Sequence, residues 1–160
     1  MDRSWLMAIV LALMVALLAL LLLGWRARQK RQSGIAKPLA APADLGTLVG
    51  EFSGKYVATT VHDDPLERIA VHGLGFRGSV TLTVTAEGLL ARIAGAKDIW
   101  IPREAVRNVR RATWTIDRVV EPDGLQLVSW QLGDQTLDSY FRMDAPTDCG
   151  AAIQTLRQAA

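Results

Sequence analysis

Residues 73–78 read Gly-Leu-Gly-Phe-Arg-Gly, a formal GxGxxG. Such a loop cradles a pyrophosphate only where it follows a strand and opens a helix, whose first N–H groups meet the phosphates. Here it leads into Ser79–Thr85, where Val80, Leu82 and Val84 alternate with Thr81, Thr83 and Thr85. Period two marks a strand with one buried and one wet face. Asp98 stands about where a ribose-binding acid would be expected, but one acid does not restore the missing helix. The dinucleotide reading is rejected. The glycines are assigned to a connection or bulge, with Phe76 and Arg77 as an exposed contact on that loop.

Other reactive residue types are sparse. His62 and His72 are the only histidines and Cys149 the only cysteine, a set without metal-ligand spacing. His62 beside Asp63 and Asp64 reads as a solvated turn, and Cys149 as a packing residue. No Walker loop, GxSxG or paired acid and base stands out, so no catalytic residue, cofactor or metal is expected. The densest basic cluster is Arg103, Arg107, Arg110 and Arg111. If 103–107 are helical, Arg103 and Arg107 share a face. Arginine forks suit phosphate or carboxylate partners, and the plain alternative is a solvated rim paired with Asp98, Glu104 or Asp117.

These candidates must be positioned by what precedes them. Leu6–Leu23 reads LMAIVLALMVALLALLLL, without a polar side chain, bracketed by Trp5 and Trp25. As a helix, Trp5 to Trp25 is about 30 Å long, the thickness of a bilayer core. Nine leucines at about −0.5 kcal/mol each favour insertion by about 5 kcal/mol. The run is longer than a signal h-region, and Trp25-Arg26 replaces the small residues that cleavage needs. Residues 1–4 are therefore expected as a short outer tail and 5–25 as an uncleaved transmembrane helix. Arg26, Arg28, Lys30, Arg31 and Lys37 follow it with no acid before Asp44. The positive-inside rule places the C-terminal part in the cytoplasm, with the N-terminus outside the plasma membrane. Arg26, Arg28, Lys30 and Arg31 also suit anionic lipid headgroups, at about 1 kcal/mol per charge.

Residues 1–37 hold six basic residues against one acid, and residues 38–160 hold 12 against 15. The basic character belongs to the membrane edge, which argues against nucleic-acid binding. A lone cysteine agrees with a reducing compartment. Residues 26–49, basic and then rich in alanine and proline, read as a flexible linker of roughly 25 Å mean span.

From residue 50 to 160 the pattern is strand-rich. Tyr56–Val61, Glu67–His72, Ser79–Thr85, Leu89–Ile93, Ile99–Ile101, Ala112–Asp117, Leu125–Leu132 and Leu137–Met143 are strand candidates, the second a weak one. Asp63-Asp64-Pro65 and Glu121-Pro122-Asp123-Gly124 read as turns. Arg103–Arg107 reads as a single turn. Asp144 to Asp148 carries a capping residue, an early proline and an acid, which start a helix whose apolar face is Cys149, Ala152, Ile153 and Leu156. The class is α+β, mainly β: about seven antiparallel strands, a half-open barrel or sandwich, closed by one helix.

That order resembles the pleckstrin-homology superfold, and the chain resembles single-pass bacterial membrane proteins that carry a PH-like domain. The resembling stretches are HGLGFRG (72–78), VTLTVTAEGLLAR (80–92), DIWIPREAVRNVRR (98–111), WTIDR (114–118), LDSYFR (137–142) and the closing helix. The resemblance implies a seven-stranded antiparallel half-barrel capped by a C-terminal helix. With no catalytic motif in the chain, the expected function is a membrane-tethered, non-catalytic adaptor that binds a protein partner at the cytoplasmic face. Candidate contacts are Phe76, Arg77, Arg103, Arg107, Arg110 and Arg111. Phosphoinositide-binding PH domains place basic residues in the first hairpin loop. Here Val61–Arg77 carries Asp63, Asp64 and Glu67 against Arg68 and Arg77, a departure from that pattern. Anionic-lipid binding, and an accessory role in a transport, export or biosynthetic complex, are the alternatives.

Overall fold

A computed structural model describes residues 3–112, 114–115, 118–119 and 124–158. The chain divides into two compact units, residues 1–34 and 35–160. In the first, helix α1 runs over Arg3–Arg31 with no buried side chain. Its 29 residues extend about 43 Å, and its apolar stretch is long enough to cross a membrane. Trp5, Leu6, Leu23 and Trp25 all lie on it, exposed.

The helix does not stop at Trp25, where the linker was expected to begin. Arg26, Arg28, Lys30 and Arg31 occupy its last two turns. Arginine, lysine and glutamine are good helix formers, and no breaker intervenes before Gly34. Cations also suit the carboxyl end of the helix dipole. Ser33 closes the end, its hydroxyl donating to Lys30 O at 2.7 Å. The second unit likewise begins before residue 50. Ile35 is a core residue, and its carbonyl accepts a hydrogen bond from His72 Nε2 at 2.9 Å. A carbonyl can only accept, so that bond places the ring proton on Nε2.

The second unit is built on β1 (Leu48–Val61), a strand of 14 residues. Its N-terminal part pairs with β3 (Gly78–Thr85) and its C-terminal part with β10 (Gln135–Met143), both antiparallel. β2 (Asp64–Arg68) adds to the end of β1. Beyond β3 lie β4 (Gly88–Ile93) and β5 (Ile99–Pro102), and beyond β10 lie β9 (Leu125–Leu132) and β6 (Val106–Ala112). The order is β5-β4-β3-β1-β10-β9-β6, with β2 as an eighth strand on β1. A two-stranded ladder, β7 (Trp114–Thr115) with β8 (Arg118–Val119), stands apart from it. Ile116, Asp117 and residues 121–123, expected in a strand and a turn, lie outside the described residues.

β5 and β6 are opposite edges of the sheet, yet only Arg103–Ala105, a single 3-10 turn, joins them. Three residues span at most about 10 Å, so the sheet curls until the end of β5 lies close to the start of β6. Two devices bend β1. A bulge at Val57 shifts its register against β10. At Gly54 a Cβ would lie 2.4 Å from Arg142 O, so only glycine admits that approach of β1 to β10. Helix α2 (Pro146–Gln158) packs on β1, β3, β6, β9 and β10 and buries Cys149, Gly150, Ile153 and Leu156.

Alternation sorts the side chains. Leu137 and Phe141 of β10 and Val128 and Trp130 of β9 enter the main core, while Tyr140, Leu125 and Leu127 join Val57 and Ala58 in a second apolar cluster on the other face. The expected wet face of β3 is partly dry: Thr83 and Thr85 are buried. Thr83 sits between Glu51 and Leu90 in register, its hydroxyl donating to Glu51 Oε2, and Thr85 donates to Gly88 O. The strand expected at Glu67–His72 instead occupies Asp64–Arg68. The Asp64 carboxylate accepts from the N–H groups of Leu66 and Glu67 and starts it early.

One polar chain threads the core. Tyr56 OH donates to Leu74 O at 2.7 Å, so it must accept from Thr59 Oγ1. Thr59 in turn accepts from Ser139 Oγ at 2.6 Å, and Ser139 accepts from Trp130 Nε1 at 2.9 Å. All the donors thus run one way, from β9 to the 69–77 loop, and every hydroxyl proton has a taker.

Candidate functional site

Asp138 is the unusual residue of the outer face. It sits mid-strand in β10, opposite Ser129 of β9 and Thr60 of β1, and is 1% exposed. A carboxylate that deep needs donors. Its Oδ1 accepts from Ser129 Oγ at 2.6 Å and from His62 Nδ1 at 2.9 Å. His62 Nε2 lies 3.5 Å from Asp63 Oδ2. Arg110 of β6 reaches both acids, 4.0 Å from Asp63 Oδ1 and 3.9 Å from Asp138 Oδ2. Asp138, His62, Asp63 and Arg110 therefore close a ring in which each acid faces a basic group on either side.

The ring borders a cleft of about 380 Å³. Among the described residues its walls come from Asp63 and Pro65 at the β1–β2 end, Arg110 to Ala112 of β6, Leu127 of β9, and Asp138 and Tyr140 of β10. Burial pushes the Tyr140 hydroxyl above its ordinary range. The phenol thus stays protonated. The geometry holds charge in place and does not activate a nucleophile: Ser129 and His62 share one oxygen of Asp138, so Ser129 Oγ spends its proton on the acid rather than on the imidazole.

The GxGxxG stretch has a structural role. Gly73 adopts φ +81, and a Cβ on Gly75 would lie 2.7 Å from Ile69 O. The segment turns twice, Leu74 N–H to Val71 O and Phe76 N–H to Gly73 O, and then enters β3. Arg68 ties it down, donating to Gly75 O at 2.7 Å and Val57 O at 3.3 Å. Among the described residues, no group of three or more His, Cys, Asp or Glu side chains gathers to hold a metal.

Residues 35–157 match the family model described as Bacterial PH domain-like. The chain belongs to that family. The curled antiparallel sheet closed by α2 is its PH-like domain. Comparison with curated proteins found no match.

Within the PH-like domain, the candidate contacts separate. Phe76 and Arg77 are exposed on the β2–β3 connection, where the Phe76 ring lies beside Gly78 and Gly95. Arg103 opens the 3-10 turn and Arg107 lies exposed in β6, so the shared helical face expected for that pair does not form. The short turn is forced by the β5–β6 connection, which leaves no room for a full helical turn. Arg110 and Arg111 line the cleft. Sequence reasoning missed Asp138 and its pairing with His62. The available signal was an acid two residues before Tyr140, flanked by Leu137, Tyr140 and Phe141 in a strand candidate. Cys149 is buried on α2, its thiol pushed up to about 12 by burial.

Proposed function

We propose that the chain is a membrane-tethered, non-catalytic PH-like module that docks a protein partner at the inner face of the plasma membrane. One observation supports this reading above the rest: among the described residues β6 pairs only with β9, and it carries Arg107, Arg110 and Arg111 along a sheet edge. A strand edge with charged side chains resists self-association while still offering main-chain hydrogen bonds to a chosen extended segment. The tether is α1. The basic run from Arg26 to Arg31 favours a cytoplasmic domain, as the positive-inside rule requires.

The test is a photo-crosslinking residue in place of the exposed Asn108 in full-length protein in native membranes. One discrete adduct is expected, lost when Arg103→Glu and Arg107→Glu are combined in the same chain. An adduct indifferent to charge reversal, or none at all, rejects edge docking. A reporter fused to the C-terminus reads cytoplasmic in the wild type, and Arg26, Arg28, Lys30 and Arg31 changed together to Gln give mixed orientation. Exterior reporter signal in the wild type rejects the inner-face assignment.

A second reading, binding of anionic lipid, draws on the same four basic residues at the end of α1. Full-length protein in nanodiscs discriminates. Hydrogen-exchange protection of the PH-like domain that appears with anionic lipid and vanishes at high salt favours lipid.

A further inference from the structure

The curl of the sheet gathers three arginines at one corner. The 3-10 turn folds Arg103 back onto β6, its carbonyl accepting from Val106 N–H. The next residue, Arg107, stands exposed at the register shift between Val106 and Asn108. A bulge there aims its side chain off the regular ladder. From α2, Arg157 Nη1 reaches Asn108 Oδ1 at 3.2 Å. Turn, strand and helix thus contribute one guanidinium each. Among the described residues none of the three forms an ion pair. Glu104 shares the turn, exposed. Glu87, whose carbonyl accepts from Arg103 N–H at 2.9 Å, lays its side chain against Gly46 instead. Asp63 and Asp138 face Arg110, further along the strand.

The positive charge is drawn out along a line. Arg107 to Arg111 covers about 13 Å of strand, with Arg111 exposed at the far end. A single phosphate engages one point of such an array. A bilayer surface meets the charges but leaves the main-chain groups of the β6 edge without ladder partners. An extended chain segment with acidic side chains serves both: its backbone pairs with the edge, and its carboxylates meet the guanidinium forks. We propose that the β6 edge receives an extended acidic segment of the docked partner, its carboxylates seated on Arg103, Arg107 and Arg157. The inference rests on the docking reading and specifies what docks.

The test uses isotope-labelled full-length protein in zwitterionic nanodiscs, titrated at low salt with an N-acetylated tetraglutamate amide, the matching tetralysine peptide and inorganic phosphate. Saturable shifts at Arg103, Arg107, Asn108 and Arg157 with tetraglutamate, and none with tetralysine, are expected. Phosphate binds about tenfold more weakly, because it reaches one arginine at a time. Arg157→Gln weakens tetraglutamate about threefold, whereas Arg157→Lys keeps most of the binding, a split that follows charge. Phosphate binding as tight as the peptide's, shifts seen only when the nanodisc lipid is anionic, equal losses in the Gln and Lys variants, or no shift with tetraglutamate overturns the proposal. The two readings fail separately. Sequencing the partner segment crosslinked at position 108 is expected to return acids at alternate positions. A discrete adduct on a segment without acids leaves edge docking standing and ends the acidic-segment site; absence of any adduct ends docking itself.

Discussion

His62 and Asp138 lie 76 residues apart in the chain and 2.9 Å apart in space. β1 ends at Val61, and its last registered partner on β10 is Leu137, so the turn after β1 delivers His62 onto the outer face beside Asp138. The same oxygen of Asp138 also binds Ser129, and the two donors make burial of the carboxylate tolerable.

Ser129→Ala removes one of those donors without enlarging the cleft. It is expected to destabilise the PH-like domain by about 1–3 kcal/mol, the cost of leaving a buried charged acceptor short of a partner. Denaturant unfolding of the full chain in detergent checks this. An unchanged midpoint would mean that Asp138 is not held by Ser129.

Tyr56→Phe breaks the one-way hydroxyl chain at its last link. Leu74 O loses its donor and Thr59 Oγ1 loses its acceptor, both in a buried setting. A loss of about 1–3 kcal/mol is expected. Faster hydrogen exchange should be concentrated at residues 71–76, because that bond anchors the glycine-rich turns. Uniform loss of protection across the sheet would contradict the local role.

Burial raises the Cys149 thiol from 9.0 to about 12. Below pH 9 the thiol is neutral in folded and unfolded chains alike, and its contribution is fully present. Between about 9 and 12 only the unfolded chain ionises, so stability falls as pH rises through that window. Cys149→Ala lowers stability at pH 7 by cavity formation but should fall less steeply from pH 9 upward. Parallel pH profiles for the two proteins would refute the assignment.

Gly150 and Gln126 are expected to couple. Gln126 Nε2 donates to Arg110 O, while its Oε1 is buried without a hydrogen-bond partner among the described residues and lies 2.8 Å from where a Cβ on Gly150 would stand. Gly150→Ala alone, despite a helix-propensity gain of about 1 kcal/mol, should be destabilising. With Gln126→Ala already present the same change should turn neutral or stabilising, a coupling of about 1 kcal/mol or more in a double-mutant cycle. Additive effects would show that α2 shifts to relieve the contact.

How far the chain could be read in advance follows from the range of each interaction. The apolar run, the β3–β4 hairpin, strands β9 and β10 and the closing helix were legible, because periodicity, turn residues and a capping proline act over a few neighbours. Shorter or overridden elements were not. β2 moved because one carboxylate, Asp64, captured two nearby N–H groups. The expected turn shared by Arg103 and Arg107 gave way to the demand that β5 and β6 meet across three residues.

The sequence by itself determined a greasy helix with a basic end and a strand-rich body closed by an amphipathic helix, since each is written in local composition and period. Tertiary structure alone decided which strands became edges and which acid was buried. Asp138 acquires its meaning only when β1, β6, β9 and β10 bring His62, Arg110 and Ser129 around it. Residues so far apart in the chain carry no mutual signal until the sheet curls, because the hydrogen bonds and charges that unite them act over a few ångströms of space.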